Sequence, residues 1–263
     1  MNERSVFEDL KTFKDWDRDY YPARARRYYD RAIAEMLRCL EVKAEGLVLD
    51  AGCGPGEHAV RVARNGYRVL AIDFSAAVLE EARGRAQANG LADRIQFERG
   101  DLTSLRFADA SFDRVFSWGV VIHIPEIDRA LAELARIVRP GGRLALYVTN
   151  DHAWDYAVVD TVRRLRRRPA LPLRRTVLGE GCWFDTDQGR LWVWRMDVDG
   201  LTRHMNGLGL VRTHLLPGSL TELHVRLRGT MRDPLLWLND AWYALRAPAR
   251  PCVTNLLVFQ KQC

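Results

Sequence analysis

The residues VLDAGCGPGEHAVRVA, numbered 48–63, join a short apolar run to an amphipathic pattern through three glycines in five positions. These glycines are Gly52, Gly54 and Gly56, and Asp50 stands two residues before the first of them. Glycine is costly in regular structure, so such a cluster predicts a tight turn or the close approach of a ligand. The segment therefore predicts a buried strand, a loop and a helix, in that order.

Strand and helix patterns alternate on both sides of this loop. Apolar residues recur at helical spacing from Arg24 to Leu40, before the loop. After it, Ser75 is a possible N-cap for one of the following helices. The predicted strands are 47–52, 67–74, 94–101, 112–121 and 143–150, and the predicted helices between them are 58–66, 76–90 and 125–138. This alternation predicts an α/β fold with right-handed βαβ units and a doubly wound, mostly parallel sheet.

The second half of the chain departs from this rhythm and indicates two insertions. A helix with Asp199 as its possible cap is predicted in this half. Two further strands, at 209–216 and 254–262, bring the sheet to seven strands. Insertions at about 151–198 and 219–253 interrupt this part, and a turn at 187–189 predicts a β-hairpin in the first of them. We expect residues 1–45 to form an N-terminal helical lid, and residues 46–263 to form the sheet with its insertions.

Composition places the chain among ordinary globular proteins. The 263 residues are 48% hydrophobic and 28% charged, and the net charge of +6 permits acidic partners without requiring them. No apolar run has the length of a membrane span, and the N-terminus lacks the apolar core of a signal peptide, so we expect a cytoplasmic protein. Five cysteines without a CxxC spacing support neither a disulfide framework nor a zinc site.

Two cofactor classes use a glycine loop at the ligand crevice of such a sheet. A dinucleotide would require a third glycine where Glu57 stands, and its pyrophosphate would be repelled by Glu57 and Asp50. The same carboxylates favour a ligand with an ammonium or sulfonium group, and S-adenosyl-L-methionine carries both. The residues therefore favour S-adenosyl-L-methionine, and an NAD(P)-dependent oxidoreductase remains an alternative.

Four segments together resemble the class I S-adenosylmethionine-dependent methyltransferases, and in particular their small-molecule and ubiquinone-biosynthesis-type subgroup. The segments are VLDAGCGPGEH, AIDFS, GDLTSLRFADASFDRVFSWGVVIHI and ELARIVRPGGRLALYV, which begin at residues 48, 71, 100 and 133. The resemblance is strong from about Leu47 to Thr149. It implies methyl transfer to a small-molecule acceptor in biosynthesis, with S-adenosyl-L-homocysteine as the product.

The resemblance assigns cofactor contacts to residues at the carboxyl ends of the first four strands: Asp50, Gly52, Gly54, Asp73, Phe74, Asp101, Leu102, Ser117 and Trp118. In this assignment Asp50 holds the methionine end of the cofactor, Asp73 the ribose hydroxyls and Asp101 the adenine amino group. Phe74 lies against the adenine, and Ser117 and Trp118 border the methyl group. The alternatives are that the aspartates only cap local turns and that the aromatic residues only pack.

The reaction that the resemblance implies requires little from the protein beyond alignment of the acceptor and exclusion of water. A hydroxyl or carbon acid would also need a base, and His123, directly after the fourth strand, is the candidate catalytic residue. The alternative is a structural histidine. No spacing of metal-ligand residues accompanies it, so we expect metal independence.

Aromatic residues and arginines are concentrated outside these motifs. The insertions contain an aromatic set that would suit a planar or lipidic acceptor or would simply pack on the sheet: Trp183, Phe184, Trp192, Trp194, Trp237, Trp242 and Tyr243. The segment 163–175 holds seven arginines in 13 residues. It is either a solvated helix face or a site for an anionic substrate, RNA or a membrane surface. No RNA-binding module accompanies it, so we do not expect a nucleic-acid partner. An RNA or protein methyltransferase that uses this segment nevertheless stays an alternative. The oligomeric state stays open.

Overall fold

A computed structural model of the chain describes residues 5–169, 171–227 and 229–263. The strands, in chain order, are β1 (Leu47–Ala51), β2 (Arg68–Asp73), β3 (Ile95–Arg99), β4 (Phe112–Trp118), β5 (Val138–Thr149), β6 (Arg174–Thr176), β7 (Gly179–Thr186), β8 (Gly189–Met196), β9 (Leu210–Pro217) and β10 (Thr254–Lys261). The helices are α1 (Leu10–Tyr20), α2 (Arg26–Leu40), α3 (Glu57–Arg64), α4 (Ala76–Ala88), α5 (Ile127–Ile137), α6 (Trp154–Leu165), α7 (Val198–Gly207) and α8 (Asp233–Ala244).

The central sheet has seven strands in the order β3-β2-β1-β4-β5-β10-β9. The first five of these strands are parallel, whereas β10 runs antiparallel to both of its neighbours, β5 and β9. The predicted doubly wound, seven-stranded and mostly parallel fold is therefore confirmed. The strand order changes direction between β1 and β4, since β2 and β3 lie on one side of this point and β5 on the other. Open α/β sheets bind their ligands at such a point.

Two apolar cores cover the two faces of this sheet, because neighbouring side chains of a strand point to opposite faces. In β5, Leu144 and Leu146 belong to the core beneath α5 and α7, and Ala145 and Tyr147 belong to the other core. That second core is filled by α2, α3 and α4. The continuous apolar composition of β5 thus reflects burial on both sides.

Three details differ from the sequence-based predictions. The strand predicted at 143–150 begins at Val138, because residues 139–142 form a bulge between the Phe112–Val138 and Arg114–Arg143 pairs. The cap of α7 is Asp197 rather than Asp199, since the Asp197 carboxylate accepts hydrogen bonds from the Asp199 and Gly200 N–H groups at 2.9 Å. The first insertion also contains α6, which we did not predict. Ser75 caps α4 as predicted, with its hydroxyl 3.4 Å from the Val78 N–H.

The two insertions pack onto the sheet by different means. The predicted β-hairpin of the first insertion is confirmed as β7 and β8, which pair from Gly179–Met196 to Thr186–Gly189. The Trp194 indole of β8 donates to the Ile124 carbonyl at 2.9 Å, which fixes the hairpin to the loop after β4. The second insertion contributes α8, which packs against α2.

A buried hydroxyl cluster connects the second insertion to α2 and to two strands of the sheet. The Tyr147 hydroxyl lies 2.9 Å from that of Tyr28, 2.6 Å from that of Thr254 and 3.3 Å from that of Ser219. Buried polar groups that lose a partner pay their full desolvation cost. The cluster therefore holds three parts of the chain in one arrangement.

Replacement of Tyr147 by phenylalanine should lower the free energy of unfolding by about 1–3 kcal/mol, because it leaves the Tyr28 and Thr254 hydroxyls short of a buried partner. Urea denaturation followed by circular dichroism measures this change. Tyr67→Phe is the matched control, since the Tyr67 hydroxyl has no hydrogen-bond partner in the described part of the chain. Equal stabilities of the two variants would contradict the proposed role of the cluster.

Candidate active site

The loop after β1 has a shape that requires glycine. Gly52 has a φ of +86°, and a Cβ atom there would lie 2.5 Å from Cγ1 of Val120. Gly54 has a φ of +51°, and its open side faces Phe13 of α1, which a Cβ atom would approach to 3.5 Å. The N–H groups of Gly52 and Cys53 both donate to the Ile72 carbonyl at 2.8 Å, so β2 fixes the loop in position.

A cavity of about 200 Å³ lies over this loop at the carboxyl ends of the parallel strands. Eight of the nine residues predicted as cofactor contacts line it: Asp50, Gly52, Gly54, Asp73, Phe74, Asp101, Leu102 and Trp118. Ser117 does not, because its hydroxyl is buried within the sheet and donates to the Ala51 carbonyl at 2.8 Å. The contacts themselves stay predictions, but the fold gathers these residues around one space.

Asp50 is the strongest electrostatic feature of this cavity. Its side chain is 1% exposed, and its Oδ2 atom has no hydrogen-bond partner within the described residues. Burial, with a smaller contribution from Asp73, raises the pKa of the Asp50 carboxyl well above its usual range. A buried carboxylate oxygen without a partner is costly. The geometry therefore fits a ligand that brings a positively charged donor, such as an ammonium group.

The other two aspartates of the cavity already accept hydrogen bonds from the loops around it. The Asp73 carboxylate accepts hydrogen bonds from the Gly54 and Ser75 N–H groups, both at 3.0 Å, and burial raises its pKa while backbone hydrogen bonds oppose that rise. Asp101 Oδ1 accepts from the Thr103 N–H at 2.9 Å and from the Thr103 hydroxyl at 2.8 Å. Each carboxylate oxygen can accept more than one hydrogen bond, so both residues can also receive ligand hydroxyl or amino groups.

The carboxylate of Glu57 is not available to a ligand, which corrects the expectation from the sequence. It pairs with two guanidinium groups, those of Arg61, at 2.7 Å, and Arg85. The charge of Glu57 is therefore compensated within the protein, and of the two carboxylates that flank the glycine loop only Asp50 supports the preference for a cationic ligand.

Helix α1 covers the cavity from the side opposite the sheet. Phe13, Trp16 and Asp17 of this helix line the cavity. Two arginines from distant parts of the chain hold the helix in place: Arg85 of α4 pairs with Asp17 at 2.5 Å, and Arg232 donates to backbone carbonyls at the end of α1. Helix α1 thus covers one side of the cavity.

A larger cavity of about 820 Å³ adjoins the first. The residues that line both cavities are Trp16, Tyr21, Trp118, Gly119 and His123. Its remaining wall includes residues of α6, of the β7–β8 hairpin, of the sheet and of the segment 222–226. The ring of Trp118 stacks on that of Tyr147 with a centroid distance of 4.0 Å, so this part of the shared wall is rigidly packed.

His123 stands where the two cavities meet. Its Nδ1 atom lies 2.9 Å from the Trp192 carbonyl oxygen, and its ring stacks against Trp16 at 5.7 Å between centroids. Burial lowers the pKa of His123 to about 4, so the ring is neutral at pH 7. With Nδ1–H donating to the carbonyl, Nε2 keeps its lone pair. The position is suitable for a base, whereas the low pKa makes the ring a weak one.

Glu222, which the sequence analysis does not single out, is an acid in the wall of the larger cavity. Burial and the nearby Asp155 raise the pKa of the Glu222 carboxyl to about 7. The backbone N–H of Glu222 donates to Asp155 Oδ2 at 2.8 Å, while Asp155 Oδ1 has no partner in the described residues. A carboxyl that titrates near neutral pH is suited to proton transfer. No motif surrounds it in the sequence.

The remaining histidine and aromatic residues near the site differ in position. His152, which follows β5, pairs with Asp151 at 2.5 Å and lines neither cavity. Of the aromatic set, Phe184 lines the larger cavity, and Trp183 and Trp192 line the smaller one. Trp194 is buried in the core and Trp237 is 71% exposed. Most of these aromatic residues therefore serve packing or the smaller cavity.

Two further features concern metals and membranes. Across residues 5–169, 171–227 and 229–263, no group of three or more histidine, cysteine, aspartate or glutamate side chains is arranged to hold a metal ion. Within the same ranges, no helix combines the length and apolar composition that crossing a bilayer requires.

Comparison with known proteins agrees with this geometry. Residues 48–142 match the family described as "Methyltransferase domain". The methyltransferase GfsG of Streptomyces halstedii is 42% identical over 118 residues, which are 44% of this chain and 42% of that protein. This chain thus spans less than half of the length of GfsG. The demethylmenaquinone methyltransferase of Renibacterium salmoninarum is 30% identical over 80% of this chain and 89% of its own length.

Among solved structures, the geranyl diphosphate C-methyltransferase from Streptomyces coelicolor A3(2) has a similar fold, with a TM-score of 0.60. The alignment covers 90% of this chain and 80% of that one at 14% sequence identity. That structure contains Mg²⁺, geranyl diphosphate and S-adenosyl-L-homocysteine. At this level of identity the similarity concerns the fold alone.

Proposed function

The chain belongs to the class I S-adenosylmethionine-dependent methyltransferases, and we propose that it methylates a small-molecule acceptor bound in the larger cavity. The observation that carries this proposal is the contact between the two cavities at Trp118 and His123. A donor held in the smaller cavity and an acceptor held in the larger one would face each other across this shared wall. Such an arrangement supplies the alignment that an in-line displacement requires.

In this proposal the smaller cavity holds S-adenosyl-L-methionine. The buried, unpartnered oxygen of Asp50 receives the ammonium group, and Asp73 and Asp101 receive the ribose hydroxyls and the adenine amino group. Phe74 and Leu102 supply the apolar walls. The bound cofactor contributes a methyl group on a positively charged sulfur, which is already activated for transfer. The protein therefore has to orient the acceptor, exclude water and, for some acceptors, remove a proton.

The residues of α1 supply the exclusion of water. Phe13 and Trp16 lie over the smaller cavity, and Arg85 and Arg232 fasten the helix through ion pairing and backbone hydrogen bonds. Of the N-terminal lid predicted at 1–45, we propose that α1 is the part that opens for ligand entry, because α2 belongs to the core on one face of the sheet. The lid also brings Trp16 and Tyr21 to the place where the acceptor meets the cofactor.

Two residues are candidates for removing a proton from a hydroxyl or carbon acid. His123 is nearer to the shared wall, but its pKa of about 4 provides little driving force for proton removal near neutral pH. Glu222 lines the acceptor cavity with a carboxyl pKa of about 7. We propose that Glu222 is the base for such an acceptor and that His123 positions the acceptor. An amine acceptor would need neither.

Several finer expectations stay predictions. The apolar and aromatic lining of the larger cavity, which includes Phe184 and Tyr156, favours an aromatic or lipidic acceptor. A role in biosynthesis and a cytoplasmic location fit this proposal. An oxidoreductase that uses NAD(P) is disfavoured because a pyrophosphate brings no hydrogen-bond donor to the unpartnered oxygen of Asp50.

Thermal-shift measurements with S-adenosyl-L-homocysteine, NAD and NADP test the cofactor assignment. We expect stabilisation by S-adenosyl-L-homocysteine alone, because only this ligand brings an ammonium group to Asp50. A second experiment incubates the protein with methyl-labelled S-adenosyl-L-methionine and a panel of phenols, alcohols, amines and amphipathic acids. Transfer of label to one class identifies the acceptor chemistry. Stabilisation by NAD but not by S-adenosyl-L-homocysteine would overturn the proposal.

A further inference from the structure

We propose that the acceptor is an amphipathic acid, whose anionic group is bound by arginines at one end of the larger cavity while the atom to be methylated lies at the other end. This inference rests on the proposed function, because it names the substrate class of the same site. It also gives a role to part of the arginine-rich segment 163–175, which the cofactor site leaves unused.

Three arginines of the cavity wall are available for an anion. Arg163, Arg166 and Arg168 come from the end of α6 and the residues that follow it. None of the three has a carboxylate within 4.0 Å in the described part of the chain. Arg195 and Arg226 also line the cavity, but Asp160 pairs with Arg195 at 3.2 Å, and the charge of Arg226 acts on Asp155. The three guanidinium groups therefore leave an excess of positive charge at this wall.

The same arginine-rich segment contains residues that do not face the cavity, which separates a binding role from a merely solvated surface. Arg164 does not line the cavity, and its guanidinium bonds to the Asp160 carbonyl and the Thr161 hydroxyl of its own helix. Arg175 pairs with Glu180 at 2.8 Å. Only part of the segment therefore meets the cavity, and of that part Arg163 also donates to the Pro169 carbonyl at 2.7 Å.

The acidic groups of the cavity lie at a distance from Arg163, whereas Arg226 lies near them, since its charge acts to lower the pKa of Asp155. Asp155 stands in the first turn of α6 and Arg163 in its last turn, so eight residues of helix separate them by about 12 Å along the axis. Glu222 adjoins Asp155, as the hydrogen bond between them shows. The raised pKa of Glu222 has burial and Asp155 as its causes, with no contribution from an arginine. The cavity therefore has an acidic end and a basic end.

The wall between these two ends is apolar. It includes valines of α6 and apolar residues of the β7–β8 hairpin: Val158, Val159, Val162, Leu191 and Val193. An acceptor that spans this wall needs an apolar middle section, with an anionic group at the arginines. A carboxylate or a phosphate would meet both requirements, because guanidinium groups bind either of them through charge-assisted hydrogen bonds. Arginines that line a cavity fit such a small acid better than an extended RNA strand or a flat membrane surface.

Isothermal titration with octyl phosphate, octanoate and octyl glucoside tests the inference. We expect the two anionic probes to bind the wild-type protein roughly tenfold or more tightly than the neutral probe, since a hydrogen bond to a charged group contributes about that factor. The double variant Arg163→Gln, Arg166→Gln should lose this preference. The control Arg164→Gln, Arg167→Gln removes the same charge from neighbouring positions outside the cavity lining and should keep it.

Two outcomes would overturn the inference. One is equal affinity of the wild-type protein for the neutral and anionic probes. The other is an equal loss in both double variants, which would indicate a general charge effect of the kind that RNA or an anionic membrane also produces. Each titration is run with and without S-adenosyl-L-homocysteine. Failure to bind that compound contradicts the proposed function, whereas the comparison of the two double variants decides the inference by itself.

Discussion

Replacement of Asp50 by asparagine is expected to lower the affinity for S-adenosyl-L-homocysteine by about 30-fold or more while leaving the fold intact. Loss of one partner of a buried, hydrogen-bonded charge pair costs roughly 2–5 kcal/mol, and the lower value corresponds to this factor. The asparagine amide has nearly the size of the carboxylate but cannot pair with an ammonium group. Isothermal titration measures the change.

The stability of the same variant distinguishes a binding role from a structural one. Burial raises the pKa of Asp50 in the folded protein above its unfolded value, so the folded state holds the proton more tightly. The free energy of unfolding then falls as pH rises from the ordinary carboxyl range through this raised pKa. Asparagine does not carry this penalty, and we expect Asp50→Asn to be as stable as the wild-type protein, or more stable, at pH 7.

Asp113→Asn is the matched control for Asp50→Asn, because it makes the same change in charge at an exposed residue of β4 that pairs with Arg139. It should affect neither the affinity nor the stability by a large factor. A loss of affinity below about threefold in Asp50→Asn, or a loss equal to that of the control, would contradict the assignment of Asp50 to the ammonium group.

Replacement of Glu222 by glutamine is expected to reduce kcat by about 10²–10⁴-fold for an acceptor that must lose a proton, which is the usual contribution of a general base. In the wild-type protein kcat should rise with pH as the carboxyl ionises, with a midpoint near its pKa of about 7. The variant should lack this rise. If His123 were the base, the midpoint would instead lie near 4. The measurement uses the acceptor that the label-transfer panel identifies.

A second measurement on Glu222→Gln requires no acceptor. The raised pKa of Glu222 means that the free energy of unfolding falls as pH rises from the ordinary glutamate range to about 7. Urea denaturation at a series of pH values should show a smaller fall in the variant. Glu98→Gln, at a position that lines neither cavity, is the control and should retain the wild-type profile. Identical profiles for all three proteins would contradict the ionisation assigned to Glu222.

The part of the site that follows from local sequence could be predicted, and the part that depends on tertiary contacts could not. Asp50, Asp73 and Asp101 each follow a strand, and parallel strands bring their carboxyl ends to the same edge of the sheet. The alternation of strands and helices therefore predicts that these residues gather at one place. The glycine loop is predictable for the same reason, since its backbone shape is a local property.

Glu57 and Glu222 show why other features escaped prediction. The charge of Glu57 is compensated by Arg85, which lies 28 residues later in the chain and on a different helix. Glu222 reaches the larger cavity only because the second insertion packs beside α6. The low pKa of His123 likewise depends on burial beneath Trp16 of α1. None of these pairings has a periodic pattern that a sequence could reveal.

The position of β10 has a consequence for protein synthesis. This strand comes latest in the chain of the seven, yet it lies between β5 and β9 in the sheet. On the ribosome, β5 therefore presents an open edge and β9 lacks its neighbour until residues 254–261 emerge. Open edges invite pairing with other nascent chains. The sheet is therefore complete only when one strand has inserted between two others that precede it in the chain.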